Sequence, residues 1–408
     1  MKSPKDISIN DFVYSLPEER IAQFPVAKRD ESKLLIAQQN GLQEDAFYKL
    51  ADYLPKDSLI IFNDTKVIRA RMRFRKSTGA KIEVFILEPV LPTAEVQNAF
   101  QVQQECTWKC FVGNAKKWKQ GSLELVFEAA GQEVILTATK GVSQGNAHLV
   151  HFSWSPADLT FSDILMGSGS IPLPPYMNRD TEAADVERYQ TIYAKHQGSV
   201  AAPTAGLHFT DKVMNSLQAK NIQSDYVSLH VGAGTFKPVS ADNMGEHEMH
   251  SEQVLINKDT IMRLMKKDFH SLIVVGTTST RTLESLYWYG IKLLKNPDAK
   301  FKIEQWEPYA SDEHQNISSE KALSAVVEYM ERNKLQILQG ETQIIIAPSY
   351  QFKLVDILIT NFHQPKSTLL LLVAAFYGDD WRKAYDYALD HDFRFLSYGD
   401  SCLFFKQK

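Results

Sequence analysis

The sequence predicts an α/β protein in which a large α/β sandwich domain carries an inserted small β-barrel. Three observations lead there. The 408-residue chain is 44% apolar, with 22 Phe, 16 Tyr and 6 Trp, enough to fill two sizeable cores and unlike a disordered composition. From Lys81 to about Phe152 the residues alternate in strand fashion between Gly or polar turns, the spacing of a small barrel. The run Leu59-Ile-Ile-Phe62 reads as a buried α/β strand ahead of that stretch, and helices alternating with short apolar strands resume after Trp154-Ser155-Pro156. The barrel is therefore expected as an insertion, residues 63–155, into a domain formed by residues 1–62 and 156–408.

Taken in order, Leu59 to Phe62 ends at Asn63-Asp64-Thr65, and the next run alternates through Val67, Ile68, Arg69, Ala70, Arg71, Met72, Arg73, Phe74 and Arg75. Period two would place Arg69, Arg71, Arg73 and Arg75 on one strand face, with Lys76 and Lys81 beyond. Barrel strands follow near 82–87, 108–112, 123–127, 134–137 and 148–152, with the polar stretch Pro92 to Gln104 as a long hairpin loop. In the second half, Leu272-Ile-Val-Val-Gly276 runs into Thr277-Thr278-Ser279 and a helix to Tyr289, with hydroxyls at its cap. Strands are expected at 342–347 and 354–360, and Ser367-Thr368 caps an apolar helix from Leu369.

Composition excludes several classes. Three cysteines, Cys106, Cys110 and Cys402, cannot make a disulfide framework and suit a reducing compartment. The polar N-terminus does not resemble a signal peptide, and the longest apolar run, Leu369 to Phe376, is far short of the roughly 20 residues that span a bilayer. A soluble, cytoplasmic protein that engages no membrane is expected. The net charge of −4 gives no overall footprint for nucleic acid, so such a partner needs a local patch, and the arginine face is the candidate beside the alternative of a solvated strand face.

Histidines concentrate between 196 and 250, yet Glu246-His-Glu-Met-His250 spaces its imidazoles at i and i+3 where a zinc helix needs i and i+4, and no cysteine is near; no metal is expected. Gly232-Ala-Gly-Thr235 is half a dinucleotide fingerprint with Lys237 at the third glycine, equally a Gly-rich turn. No Gly-x-x-x-x-Gly-Lys-Ser/Thr run is present, which excludes a P-loop NTPase. Thr277-Thr278-Ser279 can present N–H groups and hydroxyls to a carboxylate or phosphate, or it is an ordinary cap with an Arg281–Glu284 ion pair. Ser199-Val-Ala-Ala-Pro-Thr-Ala-Gly-Leu-His208 is a small-residue loop that lets a ligand approach the backbone, ending in a histidine suited to proton transfer.

Together these segments resemble the S-adenosylmethionine:tRNA ribosyltransferase-isomerase family of queuosine biosynthesis. The resemblance runs nearly end to end: Leu16-Pro-Glu-Glu-Arg-Ile-Ala-Gln23, Phe62-Asn-Asp-Thr-Lys-Val-Ile68, Ile171-Pro-Leu-Pro-Pro-Tyr176, Tyr189-Gln190, Ser199 to Phe209, Leu229-His-Val-Gly-Ala-Gly-Thr-Phe236, Met249-His-Ser-Glu252, Val275-Gly-Thr-Thr-Ser279 with Arg281, Thr360-Asn-Phe-His363, and Arg394-Phe395 to Ser397-Tyr-Gly-Asp400. It implies transfer and isomerisation of the ribosyl part of S-adenosylmethionine onto 7-aminomethyl-7-deazaguanine at the wobble position of tRNAs with GUN anticodons. The products are epoxyqueuosine, adenine and methionine. S-adenosylmethionine is a consumed substrate, no bound cofactor is implied, and a monomer is expected.

That chemistry needs a base for the carbon beside the sulfonium, a proton or hydrogen bond for departing adenine, and polar contacts to ribose and carboxylate. The resemblance puts His208, His230, His250, His363, Glu252 and Asp400 forward as catalytic, His208 first. It puts Asn63, Asp64, Thr65, Tyr176, Thr204, Gly206, Gly232, Gly234, Thr277, Thr278, Arg281, Asn361 and Tyr398 forward as substrate-binding. The chain departs from the family pattern at Ala347-Pro348-Ser349-Tyr350, where Pro-Gly and an aromatic are usual, at Gln364, where Leu is usual, and in a longer segment from Pro92 to Cys106. The competing readings are a paralogue that binds tRNA or a related nucleoside without this activity, and a methyltransferase, for which a Gly-rich first loop followed by an acidic strand end is missing.

Overall fold

The computed structural model describes residues 3–38, 40–232, 241–310 and 317–407. Its spine is a ten-stranded mixed sheet in the order Lys302–Ile303, Ile337–Thr342, Glu252–Asn257, Gln223–His230, Leu59–Asn63, Leu272–Val275, Ile357–Asn361, Ser401–Phe405, Lys33–Gln38 and Gly41–Ala46. The four central strands, Gln223–His230 to Ile357–Asn361, are mutually parallel. Such strands are covered on both faces, which is why they read as unbroken apolar runs. Leu59, Ile61, Leu272 and Val274 enter a core shared with the helices Thr277–Lys295 and Thr368–Tyr377, while Ile60, Phe62, Ile273 and Val275 enter another with Val213 and Leu217 of the helix Asp211–Ala219.

The chain leaves this sheet after Asn63 and re-enters it at Gln223. Between lies a seven-stranded antiparallel sheet ordered Gly169–Ser170, Arg71–Arg75, Lys81–Leu91, Glu105–Gly113, Ala147–Ser155, Gln132–Gln144 and Ser122–Ala129. It curls into a half-barrel around a core of its own that includes Phe74, Val84, Trp108, Trp118, Leu136 and Phe152. Arg71–Arg75 comes close to Ser122–Ala129 without sharing a ladder, and the helix Phe161–Ser168 packs along the latter.

Four expected elements differ. The arginine run is not one strand: Thr65–Val67 pairs in parallel with His196–Ser199 in a separate two-stranded ribbon, and the half-barrel strand starts only at Arg71. The stretch Pro92 to Gln104 does link two paired strands, but it contains the helix Val96–Phe100, nailed down by Phe100 against Trp108. The strand expected at 342–347 lies at Ile337–Thr342, and the buried residues after it are irregular. The helix after Leu272–Val275 begins at Thr277 with Gly276 as N-cap, and no side chain caps it; the hydroxyls of Ser279 and Thr280 turn back onto the carbonyls of Val275 and Gly276. Ser367 caps its helix as expected, accepting from Leu370 N. Among the described residues no helix is long and apolar enough to cross a membrane.

Candidate active site

In open α/β sheets ligands gather beyond the carboxyl ends of parallel strands, and the sequence motifs converge there. Leu59–Asn63 delivers Asp64 and Thr65, Gln223–His230 ends in His230, Leu272–Val275 delivers Thr277 and Thr278, and Ile357–Asn361 delivers Asn361 and His363. Two adjoining cavities open at this edge.

The first is lined by Tyr176, Thr204, Thr277, Thr278, Asn361 and His363 among the expected residues, and by Gly276, Thr360, Gln364, Ser367 and Ser397 besides. Gly276 adopts φ +88°, a conformation that favours glycine, and its N–H donates to Ile359 O at 2.8 Å. This sharp turn aims the first turn of the 19-residue helix at the cavity with no side-chain cap on its N–H groups, a ready anion site. Thr204 Oγ1 donates to Asn361 Oδ1 at 2.8 Å. His363 pairs through Nε2 with Thr360 Oγ1 at 3.0 Å, and its Nδ1 makes no hydrogen bond among the described residues. Burial pushes its pKa down to about 3, so the ring is neutral. The Tyr176 hydroxyl bonds Ser397 Oγ, and burial pushes its pKa up to about 12. Gln364 adds a polar side chain to the lining of this cavity.

The second cavity lies between the half-barrel and the large sheet and collects His230, Gly232 and His250, with Lys109, Glu88 and Gln253. His230 is buried, its Nδ1 3.0 Å from Thr65 Oγ1 and its Nε2 3.1 Å from Gln97 Nε2. An amide N–H can only donate, so Gln97 fixes the lone pair on Nε2 and the proton on Nδ1, which donates to Thr65. Burial foremost, then the neighbouring His196, lowers the pKa of His230 to about 4. The backbone at Gly198 passes so close that a Cβ there would lie 2.5 Å from His230 Nδ1. Gln97 was not foreseen: it comes from the segment between Pro92 and Cys106, which Gln253 ties down through Val96 N and Ala94 O.

The cavities share a wall. Val200 lines the second and Ala201 the first, Val231 lines both, and Val200 N donates to Val231 O at 2.9 Å. Ser199, fully buried, pins this wall, donating to Ala201 O at 2.6 Å and accepting from Val231 N at 3.0 Å.

The remaining expected residues stand behind these cavities. His208, the first choice for a base, has both nitrogens engaged: Asn361 Nδ2 donates to Nε2 at 3.2 Å, and Nδ1 pairs with Ser32 Oγ at 2.8 Å. Burial lowers its pKa to about 4, and it touches the cavity only through Asn361. Asp400 accepts from the backbone N–H groups of Lys33 and Arg394 at 2.9 and 2.7 Å, with its pKa raised by burial, so it holds chain and not an imidazole. Glu252 forms a buried ion pair with Arg281, whose Nε donates to Ile344 O. Arg281 spends Nη1 and Nε on these partners and keeps a buried Nη2 without a hydrogen bond among the described residues, while the expected Arg281–Glu284 pair is not formed: Glu284 accepts from Tyr350 Oη and the N–H groups of Lys353, Leu354 and Val355.

Asn63 stitches neighbouring strands, exchanging bonds with Leu229 O and Leu229 N. Asp64, its pKa raised by burial, accepts from Ser228 Oγ at 2.5 Å with His196 Nε2 at 3.7 Å. Tyr398 donates to Asp185, which Arg179 grips with two nitrogens, and Gly206 packs under the Tyr193 hydroxyl. Gly234 lies outside the described residues.

The arginine face is broken up as well. Arg69 Nη1 donates to Met166 O; Arg71 and Arg73 flank Glu83 at 3.5 and 3.6 Å, and Arg73 also pairs with Asp180 at 2.8 Å. Arg69 and Arg75 have no ion pair among the described residues, Arg69 being held by a backbone carbonyl alone.

With this geometry in hand, the chain can be set against known proteins. The profile of a family described as Queuosine biosynthesis protein matches residues 9–404. A protein of Rickettsia bellii named S-adenosylmethionine:tRNA ribosyltransferase-isomerase is 36% identical over 405 residues, 98% of this chain and all of its own length. One of the same name from Herminiimonas arsenicoxydans is 37% identical over 397 residues, 97% of each chain. The crystal structure of S-adenosylmethionine tRNA ribosyltransferase from Thermotoga maritima aligns over 96% of this chain and 99% of its own, at 27% identity and a TM-score of 0.45. Identity at this level over nearly the full length means that the chain belongs to the S-adenosylmethionine:tRNA ribosyltransferase-isomerase family of queuosine biosynthesis.

Proposed function

We propose that this enzyme transfers the ribosyl moiety of S-adenosylmethionine to 7-aminomethyl-7-deazaguanine at the wobble position of tRNA and isomerises it, giving epoxyqueuosine, adenine and methionine. Family membership names the reaction; the observation in this chain that supports it best is the first cavity, where an uncapped helix N-terminus meets threonine hydroxyls and a neutral histidine. In this reading the N–H groups at Thr277 and Thr278 hold the methionine carboxylate, while Thr204 and Asn361, oriented from behind by His208, meet the ribose hydroxyls. His363 is the base. With Nε2–H given to Thr360, its lone pair lies on Nδ1 and can take the proton from the carbon beside the sulfonium.

The second cavity, with His230 and His250, then faces the nucleobase and the departing adenine. S-adenosylmethionine is spent as a substrate and no resident cofactor takes part. The half-barrel acts as an inserted domain within an α/β sandwich, the protein works as a cytoplasmic monomer, and its tRNAs carry GUN anticodons.

The test is incubation with S-adenosylmethionine and tRNA bearing 7-aminomethyl-7-deazaguanine, followed by nucleoside mass analysis and a free-adenine assay. Epoxyqueuosine with stoichiometric adenine is expected. S-adenosylhomocysteine, or bound tRNA with no new nucleoside, would overturn the reading.

A further inference from the structure

At one end of the half-barrel, two separate segments bring Arg75, Lys76, Lys81, Lys116, Lys117 and Lys119 together. Arg75 faces Lys81 across the antiparallel ladder. The following loop is clamped to this hairpin: Asn114 Nδ2 donates to Lys81 O at 3.0 Å, and Lys76 Nζ donates to Lys117 O at 3.0 Å. Trp118, fully buried, anchors the loop, and Lys140 lies 5.9 Å over its ring while donating to Ala115 O. All of the six except Lys76 are exposed. The sequence holds no Asp or Glu at 75–82, 114–123 or 134–157. On the strand Lys81–Leu91, Glu83 is engaged by Arg71 and Arg73 and Glu88 by Lys109. Among the described residues none of the six forms an ion pair.

Holding like charges together this way costs free energy, and on a chain of net charge −4 it sets up a local field opposite to the whole. We infer that this lysine-rich edge is a phosphate-contacting surface for the RNA backbone, engaged by the tRNA away from the nucleotide that reacts; the inference rests on tRNA being the substrate. Lysines are point charges that hold phosphates without reading bases, which suits a contact that positions and does not specify. The strand Arg71–Arg75 alone extends roughly 13 Å at about 3.3 Å per residue, which sets the edge back from the segment Thr65–Val67 beside the cavities.

The experiment compares the full-length enzyme with the variant Lys116→Ala/Lys117→Ala/Lys119→Ala and with a control variant, Lys266→Ala/Lys300→Ala, reading Tm, kcat and KM for tRNA, and direct tRNA binding from 50 to 300 mM salt. The triple variant should keep its Tm and kcat, raise KM about tenfold or more, and flatten the log–log salt dependence by about 2, as the loss of two to three phosphate contacts requires. The control should match the wild type. An unchanged KM and salt slope in a folded triple variant would overturn the inference. If only binding to vesicles containing anionic lipid fell, the edge would belong to a membrane surface and the inference would fail. Should the wild type form no epoxyqueuosine, the function proposed above fails, while the binding arm still decides whether this edge holds RNA.

Discussion

His363 and His208 illustrate how residues of one motif set divide between a cavity and its support. His363 lines the cavity with Nδ1 unbonded, whereas His208 is saturated by Ser32 and Asn361. His363→Gln should therefore lower kcat by at least a hundredfold with little change in Tm. His208→Gln should act mainly on KM for S-adenosylmethionine, because its only route to the ligand is the orientation of Asn361; steady-state kinetics on both variants separates the two roles.

Burial holds His208 and His230 neutral down to about pH 4 and His363 to about pH 3, yet in the unfolded chain each takes a proton near 6.5. The unfolded state thus binds more protons between those limits, and stability is full above about 6.5 and is lost as pH falls toward 4. The buried carboxyls of Asp64, Asp400 and Glu284, raised by desolvation, pull the other way. The clean measurement is a difference: the fall in Tm from pH 7.5 to 5 should be smaller in His208→Gln than in the wild type. At this scale the resemblance put the motif residues forward as a set, and the fold brings Tyr176, Thr204, Thr277, Thr278, Asn361 and His363 to one cavity. Their partition was not legible, since the Arg281–Glu252 pair joins positions 29 residues apart that no local spacing reveals.

At the scale of elements, two backbone positions carry testable strain. Gly198→Ala would push a methyl into His230, so it should lower Tm by several degrees and turnover with it, while Gln97→Ala should spare the fold and change the pH profile of kcat by releasing His230 Nε2. Ser349 stands at φ +85°, a conformation that favours glycine. Ser349→Gly should raise stability by about 0.5–1 kcal/mol in denaturant titration. Most strands could be read from alternation or apolar runs, since period two is imposed by the pleat itself. The break at residues 68–70 could not: the pattern continues unbroken across it, while the parallel ribbon with His196–Ser199 captures the first three residues. The helix Val96–Phe100 likewise hides in polar sequence because only Val96, Ala99 and Phe100 meet the core.

Across the whole molecule, the two sheets were visible because two core types alternate along one chain, an apolar run buried on both sides and a half-buried alternation. How the two sheets meet was invisible, since that contact rests on Gln97, Gln197 and Gln253, residues with no periodic signature. Breaking the buried Glu252–Arg281 pair should cost the fold about 3–5 kcal/mol, read as a Glu252→Gln loss in urea midpoint.

The wall of Val200, Ala201 and Val231 has a wider consequence. One thin partition serves two chambers, so bulk added to it subtracts room from both tenants simultaneously. A Val231→Phe substitution should weaken S-adenosylmethionine and tRNA together, by comparable factors in their separate binding titrations. If the two cavities hold the ribosyl donor and the nucleobase as proposed, a change at Val231 that admits a larger nucleobase must also loosen the grip on the donor, which ties the selectivities of the two substrates to a single side chain.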